Sequence, residues 1–356
     1  TSSFSMSPEL LSIAVSLGET LEALDLRKGR FTRAYLGGGI FTKINFSEAD
    51  FRESDLREAV FDSCDLRGAL FTGALLRRTV FNRCLLGKAN FQSASLHACV
   101  ISECDARRAH FGGARLSMAT ISKTKLDHAS LRDADLDAAT LTGCSMVDVN
   151  ADNVNWRQTS LLECELTHLT WANSKMLRTI FIKTSLKNMS FEGLSLEGCM
   201  FASADLTDAN FTDVAMPQCN FQSATLDGAR FCGVQAPLAI FCEASAQTPA
   251  DFTGAKLRQA LFSAAKLPGA VFNGADLYQT HFAGANIAGG DFRRAELTYA
   301  DFRHAKLDKA DLRDATMVRT CLHGATTHEA KMTDRARALE TDPDVNESER
   351  WLPISV

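Results

Sequence analysis

The sequence predicts an all-β solenoid, and three observations carry that expectation. First, a bulky apolar residue returns every fifth position from Phe31 to Phe241, as in Phe31, Leu36, Phe41, Phe46, Phe51 and Leu56. One extra residue near Pro249 shifts the register, and the beat resumes from Phe252 to Leu322. Of these 58 positions, 55 are Phe, Leu, Ile, Met or Trp; Ala106, Ala151 and Ala236 are too few to break the pattern. Second, a small residue stands two positions before each centre, as in Ala49, Ala59, Cys64, Ala69, Ala74 and Thr79. Third, the position between them is often Asp or Asn, as in Asp50, Asp55, Asp65, Asn90 and Asp276. A period of five fits neither a helix nor an alternating strand. A fixed internal repeat points to a solenoid, whose units bury their apolar faces only by stacking on neighbours.

Units such as Ala49-Asp50-Phe51-Arg52-Glu53, Ala204-Asp205-Leu206-Thr207-Asp208 and Ala275-Asp276-Leu277-Tyr278-Gln279 resemble the bacterial pentapeptide-repeat family, whose unit reads Ala-(Asp/Asn)-Leu-x-x. The resemblance covers residues 29–325. It implies a right-handed quadrilateral β-helix, with four pentapeptides per square coil, centre and small residue inward, and three residues outward. Successive coils would pair like parallel strands, giving about 14 coils and, at ~4.8 Å each, a rod roughly 70 Å long.

Residues 1–28 are expected to cap the first coil. Ser7 reads as a helix N-cap, Pro8 as first turn and Glu9 as dipole complement. Leu10, Leu11, Ala14 and Leu17 would make the apolar face, and Gly18 would end the helix. In the repeat, a 20-residue coil stacks Cys64, Cys84, Cys104, Cys144 and Cys164 in one column with Thr124 and Thr184. Adjacent thiols lie within disulfide range, but small reduced core residues are the favoured reading. Ala151, Trp156, Trp171 and Met176 suggest a swollen but continuous core over residues 145–195. The added residue within 242–251, flanked by Pro237 and Pro249, predicts a bulge and a slight kink. Residues 326–356 are expected to hold a capping helix at 328–340, a flexible acidic stretch at 340–349, and an apolar end with Trp351, Leu352, Ile354 and Val356. A start at Thr1 suggests a processed or excised part of a longer protein.

The formal net charge is −5, and residues 1–120 carry 15 Lys/Arg against 13 Asp/Glu. These totals suggest neither a nucleic-acid-binding stripe nor a strongly acidic DNA-like surface. No apolar run approaches 18 residues, so no membrane span is expected. A cytoplasmic location is expected, with entry into a host or target cell without a Sec signal as the alternative.

Catalytic signals are lacking, and the chain reads as non-enzymatic. The eight histidines scatter over outward or loop positions; His128 and His168 share a column but lie too far apart for joint metal ligation. No Cys-x-x-Cys pair, phosphate loop or nucleophile elbow occurs, so no metal or cofactor is expected. The candidate sites are breaks in outward polarity. Ile40, Val60, Val80 and Val100 form one apolar ridge, and Ile180, Ile182 and Met200 a second patch. Leu70, Leu75, Val80 and Leu85 girdle one coil beside Arg77, Arg78 and Arg83. Exposed apolar ridges mark interfaces. The competing reading is that β-branched residues favour stacked strands, or that a terminal segment covers them. Trp351 is a further candidate contact.

The expected function is a protein-protein interaction scaffold with a protein partner, possible homodimerisation and no direct nucleic-acid binding. Its resemblance extends to secretion-associated members of the family, including type VI accessory proteins and effectors. The alternative is a DNA-mimicking gyrase-binding protein of the quinolone-resistance type, from which this chain departs in length and weak charge.

Overall fold

The computed structural model describes residues 6–351 and divides at Ser185/Leu186 into two compact units. Both are parallel β-solenoids. In unit 1, the residue before each centre pairs with its equivalent one coil later: Ile40 with Val60, Asn45 with Asp65, Asp50 with Leu70, Asp55 with Leu75. Four such pairings in 20 residues define four faces. The first carries centres Phe41, Phe61 and Phe81; the second Phe46, Leu66 and Leu86; the third Phe51, Phe71 and Phe91; the fourth Leu56, Leu76 and Leu96. These centres are all buried, as are the small residues Ala49, Ala59 and Ala69.

On the first face of unit 1, three-residue strands form a nine-stranded parallel sheet from Thr20–Glu22 through Ile40–Thr42 and Val60–Asp62 to Ile180–Ile182. The other faces pair mainly through single bridges. The outward column of the sheet reads Thr20, Ile40, Val60, Val80, Val100, Thr120 and Thr140, residues whose branched side chains fit a stacked, half-covered surface. The ladder begins at Thr20, ahead of the expected residue 29. Leu21 and Leu26 already keep the five-residue beat, and Leu26 is buried. Helix α1 spans Pro8–Ser16, with the Leu10 amide donating to Ser7 Oγ at 3.2 Å. Leu11 is fully buried, whereas Leu10 and Leu17 are exposed, so the expected apolar face docks only in part. Gly18 ends the helix with φ 74°.

The core of unit 1 changes along the stack. Phe51, Phe71, Phe91 and Phe111 lie in parallel, with centroids 5.2, 4.7 and 4.9 Å apart. Beyond them aliphatic residues and tryptophans take over. Ala151 and Trp171 are buried, and the Asn150–Thr170 bridge holds the ladder between them. Trp156 is buried edge-on to Trp171 at 6.4 Å, and its indole N–H has no hydrogen-bond partner among the described residues. This is the local cost of filling an enlarged interior with a residue that carries a donor.

Nearly every corner places its second outward residue in the left-handed region, for example Glu53 at φ 57° and Arg108 at φ 61°. No Val, Ile or Thr occurs among these residues. A branched Cβ crowds the carbonyl there, so the repeat selects Gly and unbranched residues.

The small inward column has a chemical pattern. Where Ala gives way to Thr or Cys, the side chain in most cases donates to the carbonyl of a centre 23 residues earlier, Cys99 being an exception. Thr79 Oγ1 reaches the Leu56 carbonyl at 2.8 Å and Thr159 Oγ1 the Leu136 carbonyl at 2.8 Å. Cys64, Cys84 and Cys104 place Sγ 3.3, 3.2 and 3.3 Å from the carbonyls of Phe41, Phe61 and Phe81. The thiols therefore act as weak hydrogen-bond donors in the threonine role, beyond simply filling space. Burial pushes the Cys99 thiol up to about 12.

Unit 2 has a uniform core. Phe191, Phe211, Phe231, Phe252, Phe272 and Phe292 stack at 4.4–5.0 Å. A second column from Phe201 to Phe302 meets it edge-on, as with Phe211 and Phe221 at 5.6 Å. The inserted residue leaves this stack intact: Phe231 and Phe252 are 4.9 Å apart and 7° from parallel. Pairing steps from Thr225–Ser245 to Arg230–Asp251, and the corner amides of Gln247 and Thr248 donate to the Asp227 carboxylate. The expected kink is thus absorbed in a widened corner, because that carboxylate satisfies the amides the insertion frees.

The C-terminal expectation needs correction. Residues 328–340 do not form a helix. Lys331–Met332 pairs with Asp311–Leu312, a 3₁₀ turn follows at Arg335–Arg337, and Leu339 bridges Cys321. Met332 holds the beat, which only Thr327 weakens. The stretch expected to be flexible instead holds helix α2, Pro343–Arg350. Its N-cap Asp342 accepts from the Asp344 and Val345 amides at 2.9 and 3.1 Å, and Pro343 opens its first turn. Leu352, Ile354 and Val356 lie outside the described residues.

Candidate interaction surface

The apolar ridge is present on the first face of unit 1. Ile40, Val60, Val80 and Val100 are consecutive partners in register, and no described segment covers them. Ile40 is 43% exposed, while Val60, Val80 and Val100 are half-buried by one another. The column therefore both stabilises the ladder and remains accessible. Ile180 and Ile182 end the same sheet, with Ile182 exposed. Met200 belongs to unit 2, where it is half-buried and bridges Asn220.

The girdle is not one patch. Leu70, Leu75, Val80 and Leu85 point from the third, fourth, first and second faces respectively, so no single flat partner meets all four. Arg77 and Arg78 sit at the fourth-face corner, with Arg78 4.0 Å from Glu58. Arg83 lies 3.6 Å from Asp62, between the first and second faces. Leu85 is 41% exposed and forms the floor of a groove on the second face, beside Gly68, Gly87, Arg67, Lys88 and Arg108.

That groove lies in a basic band. Residues 67–126, three coils, carry ten Lys/Arg against two Asp/Glu. Totals over residues 1–120 hide it, because the preceding coils are rich in acids. Arg77, Lys88, Arg108, Arg115, Lys123 and Lys125 are exposed and have no ion-pair partner among the described residues. The neighbouring arginines are held more firmly. Arg52, Arg57, Arg67 and Arg107 each grip the aspartate two residues earlier through Nε and Nη2, with Nη2 distances of 2.7–2.8 Å. The same aspartates accept the arginine's own amide, at 3.0 Å in Asp50–Arg52. This Asp-x-Arg motif was legible in the sequence. It holds Asp50, Asp55 and Asp105 below the ordinary carboxylate range, chiefly through the arginine hydrogen bond.

Unit 2 holds a cluster that the sequence reading missed. His323 is buried, so not every histidine is outward. The Asp342 amide donates to His323 Nδ1 at 3.0 Å, while His323 Nε2 lies 3.2 Å and His304 Nε2 3.0 Å from Glu349 of α2. An amide can only donate, so the neutral His323 ring carries its proton on Nε2, aimed at Glu349. His323 hydrogen bonding holds the Glu349 carboxyl below its ordinary value. A cation bound at His323 Nε2 would require a protonated Nδ1 facing the Asp342 N–H. The three groups form a clasp that docks α2 and do not suit a metal centre. His128 and His168 lie 3.7 and 3.4 Å from opposite oxygens of Asp148, which stands between them. Trp351, just beyond α2, is 71% exposed.

The fold and its surfaces define a repeat-built β-solenoid architecture whose outward columns set what its surface presents. Its sequence matches the pentapeptide repeat region model over residues 20–91 and the pentapeptide repeats (8 copies) model in segments from 94–133 to 295–334. The chain belongs to the pentapeptide-repeat family. No curated protein matches it. Among solved structures it is similar to HetL, a pentapeptide repeat protein involved in heterocyst differentiation regulation from Nostoc sp. strain PCC 7120. Identity is 18%, coverage 95% of this chain and 98% of that one, and the TM-score 0.24. It is also similar to QnrB1, a plasmid-mediated fluoroquinolone resistance protein, at 22% identity, covering 61% and 93%, with a TM-score of 0.31. A pentapeptide repeat protein from the Arabidopsis thaliana thylakoid lumen shares 24% identity over 31% of this chain and 56% of that one, with a TM-score of 0.19.

Proposed function

We propose that this protein is a non-enzymatic protein-protein interaction scaffold. The accessible ridge Ile40–Val60–Val80–Val100 carries the reading: apolar side chains stand in a column that other faces fill mainly with polar residues. The regular ladder fixes their spacing, so a partner meets a pre-organised row at little ordering cost. Changing Val60, Val80 and Val100 to Asp should abolish protein capture by the full chain while leaving its circular dichroism unchanged. Unaltered capture would remove the ridge from the contact, and the absence of any partner would refute the scaffold reading.

One observation favours a DNA-mimicking gyrase binder as the second reading. Residues 188–251 carry eight Asp/Glu against one Lys/Arg. The basic band of unit 1 opposes it, since a duplex mimic needs continuous negative charge. A supercoiling assay decides: no effect on gyrase at micromolar protein would exclude this reading.

A further inference from the structure

The second face of unit 1 changes sign along the stack. Its lower rows carry Lys88, Arg107 and Arg108, with Glu103 as their one acid unpaired among the described residues, and Lys123 and Lys125 stand at the top of that half. Asp105 is held by Arg107, leaving the other cations of these rows unpaired among the described residues. The Leu126 row also carries Asp127, and the rows above it carry Asp148, Glu163 and Glu165, with no Lys or Arg on that face from 143 to His168. Asp148 and both Glu side chains are exposed.

The spacing of the two halves is symmetric. Take the Leu126 row as the midpoint. One coil below it stand Arg107 and Arg108, and one coil above it Asp148. Two coils below stand Leu85 and Lys88, and two coils above Glu165. A two-fold axis lying in the interface along the Leu126 row, perpendicular to the stack, would lay the basic rows below it in one copy on the acidic rows above it in the other. That is the self-complementary patch an isologous dimer requires.

Resting on the scaffold reading above, we propose that the protein pairs with a second copy of itself through the second face of unit 1, antiparallel, about the Leu126 row. Arg108 of each copy faces Asp148 of the other, and Lys88 reaches diagonally across the face toward Glu165. Leu85, in its glycine-flanked groove, faces the aliphatic stem of Glu165 at each end of the interface. A nucleic acid fits less well. Its charge repeats without limit, whereas this basic band is only three coils tall, with Asp65 and Glu48 below it and Asp127 and Asp148 above. Opposed charges also select the antiparallel arrangement, because parallel pairing would juxtapose like charges.

The test is sedimentation velocity of the full chain in low and high salt, about 50 and about 500 mM, which bracket a Debye length of ~10 Å. Wild type should dimerise in low salt and weaken at least tenfold in high salt. Lys88→Glu/Arg108→Glu and Asp148→Lys/Glu165→Lys should each be monomeric, and an equimolar mixture of the two should restore the dimer. Lys88→Gln/Arg108→Gln gives an intermediate constant and guards against misfolding of the reversed variants. A wild-type monomer in low salt, a dimer indifferent to these changes, or a mixture that stays monomeric would overturn the proposal. So would a monomer that binds a duplex DNA probe through Lys88 and Arg108. Loss of pairing with ridge-dependent capture intact would refute this interface and leave the scaffold reading standing.

Discussion

Unit 1 and unit 2 use the same five-residue code to build different interiors and different surfaces. In unit 2 two Phe columns run without a gap from Phe191 to Phe302, each ring flat against its column neighbour and edge-on to the other column. In unit 1 the parallel stack ends at Phe111, and Ile121, Leu131, Leu141, Trp156 and Trp171 continue the core. Unit 1 in turn has a nine-stranded sheet on one face, while unit 2 is joined largely by single bridges. The difference separates two roles of the sequence. Inward residues need only fill volume, and Phe, Leu or Trp all do so. Outward residues decide local backbone regularity and what the surface can bind.

The largest expected effect tests the interiors. Phe221 stacks on Phe201 and Phe241 at 4.8 and 4.7 Å and meets Phe211 and Phe231 edge-on. Phe221→Ala should cost roughly 3–5 kcal/mol by urea denaturation, while Ile121→Ala in the aliphatic part of unit 1 should fall at or below the lower end of that range. Equal losses would show that the continuous ring stack adds nothing to burial.

A smaller effect tests what the units share. Thr79 in unit 1 and Thr280 in unit 2 each donate to a carbonyl 23 residues earlier, at 2.8 and 3.0 Å. Thr79→Val and Thr280→Val should each cost about 1 kcal/mol, the net worth of one such hydrogen bond. A loss in only one would mean that the donor column belongs to that unit and not to the repeat.

The smallest effect concerns pH. Asp50, Asp55 and Asp105 in unit 1 and Asp291 and Asp311 in unit 2 are all held below the ordinary carboxylate range by their arginines. A depressed folded-state value contributes stability above the unfolded value, near pH 4, and loses it as pH falls toward the folded value. These pairs are partly exposed, so each loss should be small. Melting followed from pH 6 to pH 2 should show stability declining only below about pH 4 in wild type. Arg52→Gln/Arg107→Gln should flatten that decline; an unchanged slope would assign it to other carboxylates.

Much of this was legible in the residues. The beat of bulky centres and the small column two positions earlier placed the core, and the 20-residue stacking put the cysteines and threonines in one column. The ridge was readable because four β-branched residues recur at that interval. Other features lay in the sequence but escaped a reading by column. Leu21, Leu26 and Met332 keep the beat beyond its expected ends, and Asp342-Pro343-Asp344 is a helix start. The basic band is masked in the total for residues 1–120, because the acids of the first coils offset it.

By itself the sequence determined the solenoid, its inward and outward residues and the exclusion of branched side chains from its corners, because a repeat encodes local geometry afresh in every unit. Only the tertiary structure decided what comes together across coils. It split the apparent girdle among four faces, closed the insertion on Asp227, and brought His304 and His323 to Glu349. Such contacts depend on how a corner opens and where a terminal helix lands, and a five-residue period carries no information about either.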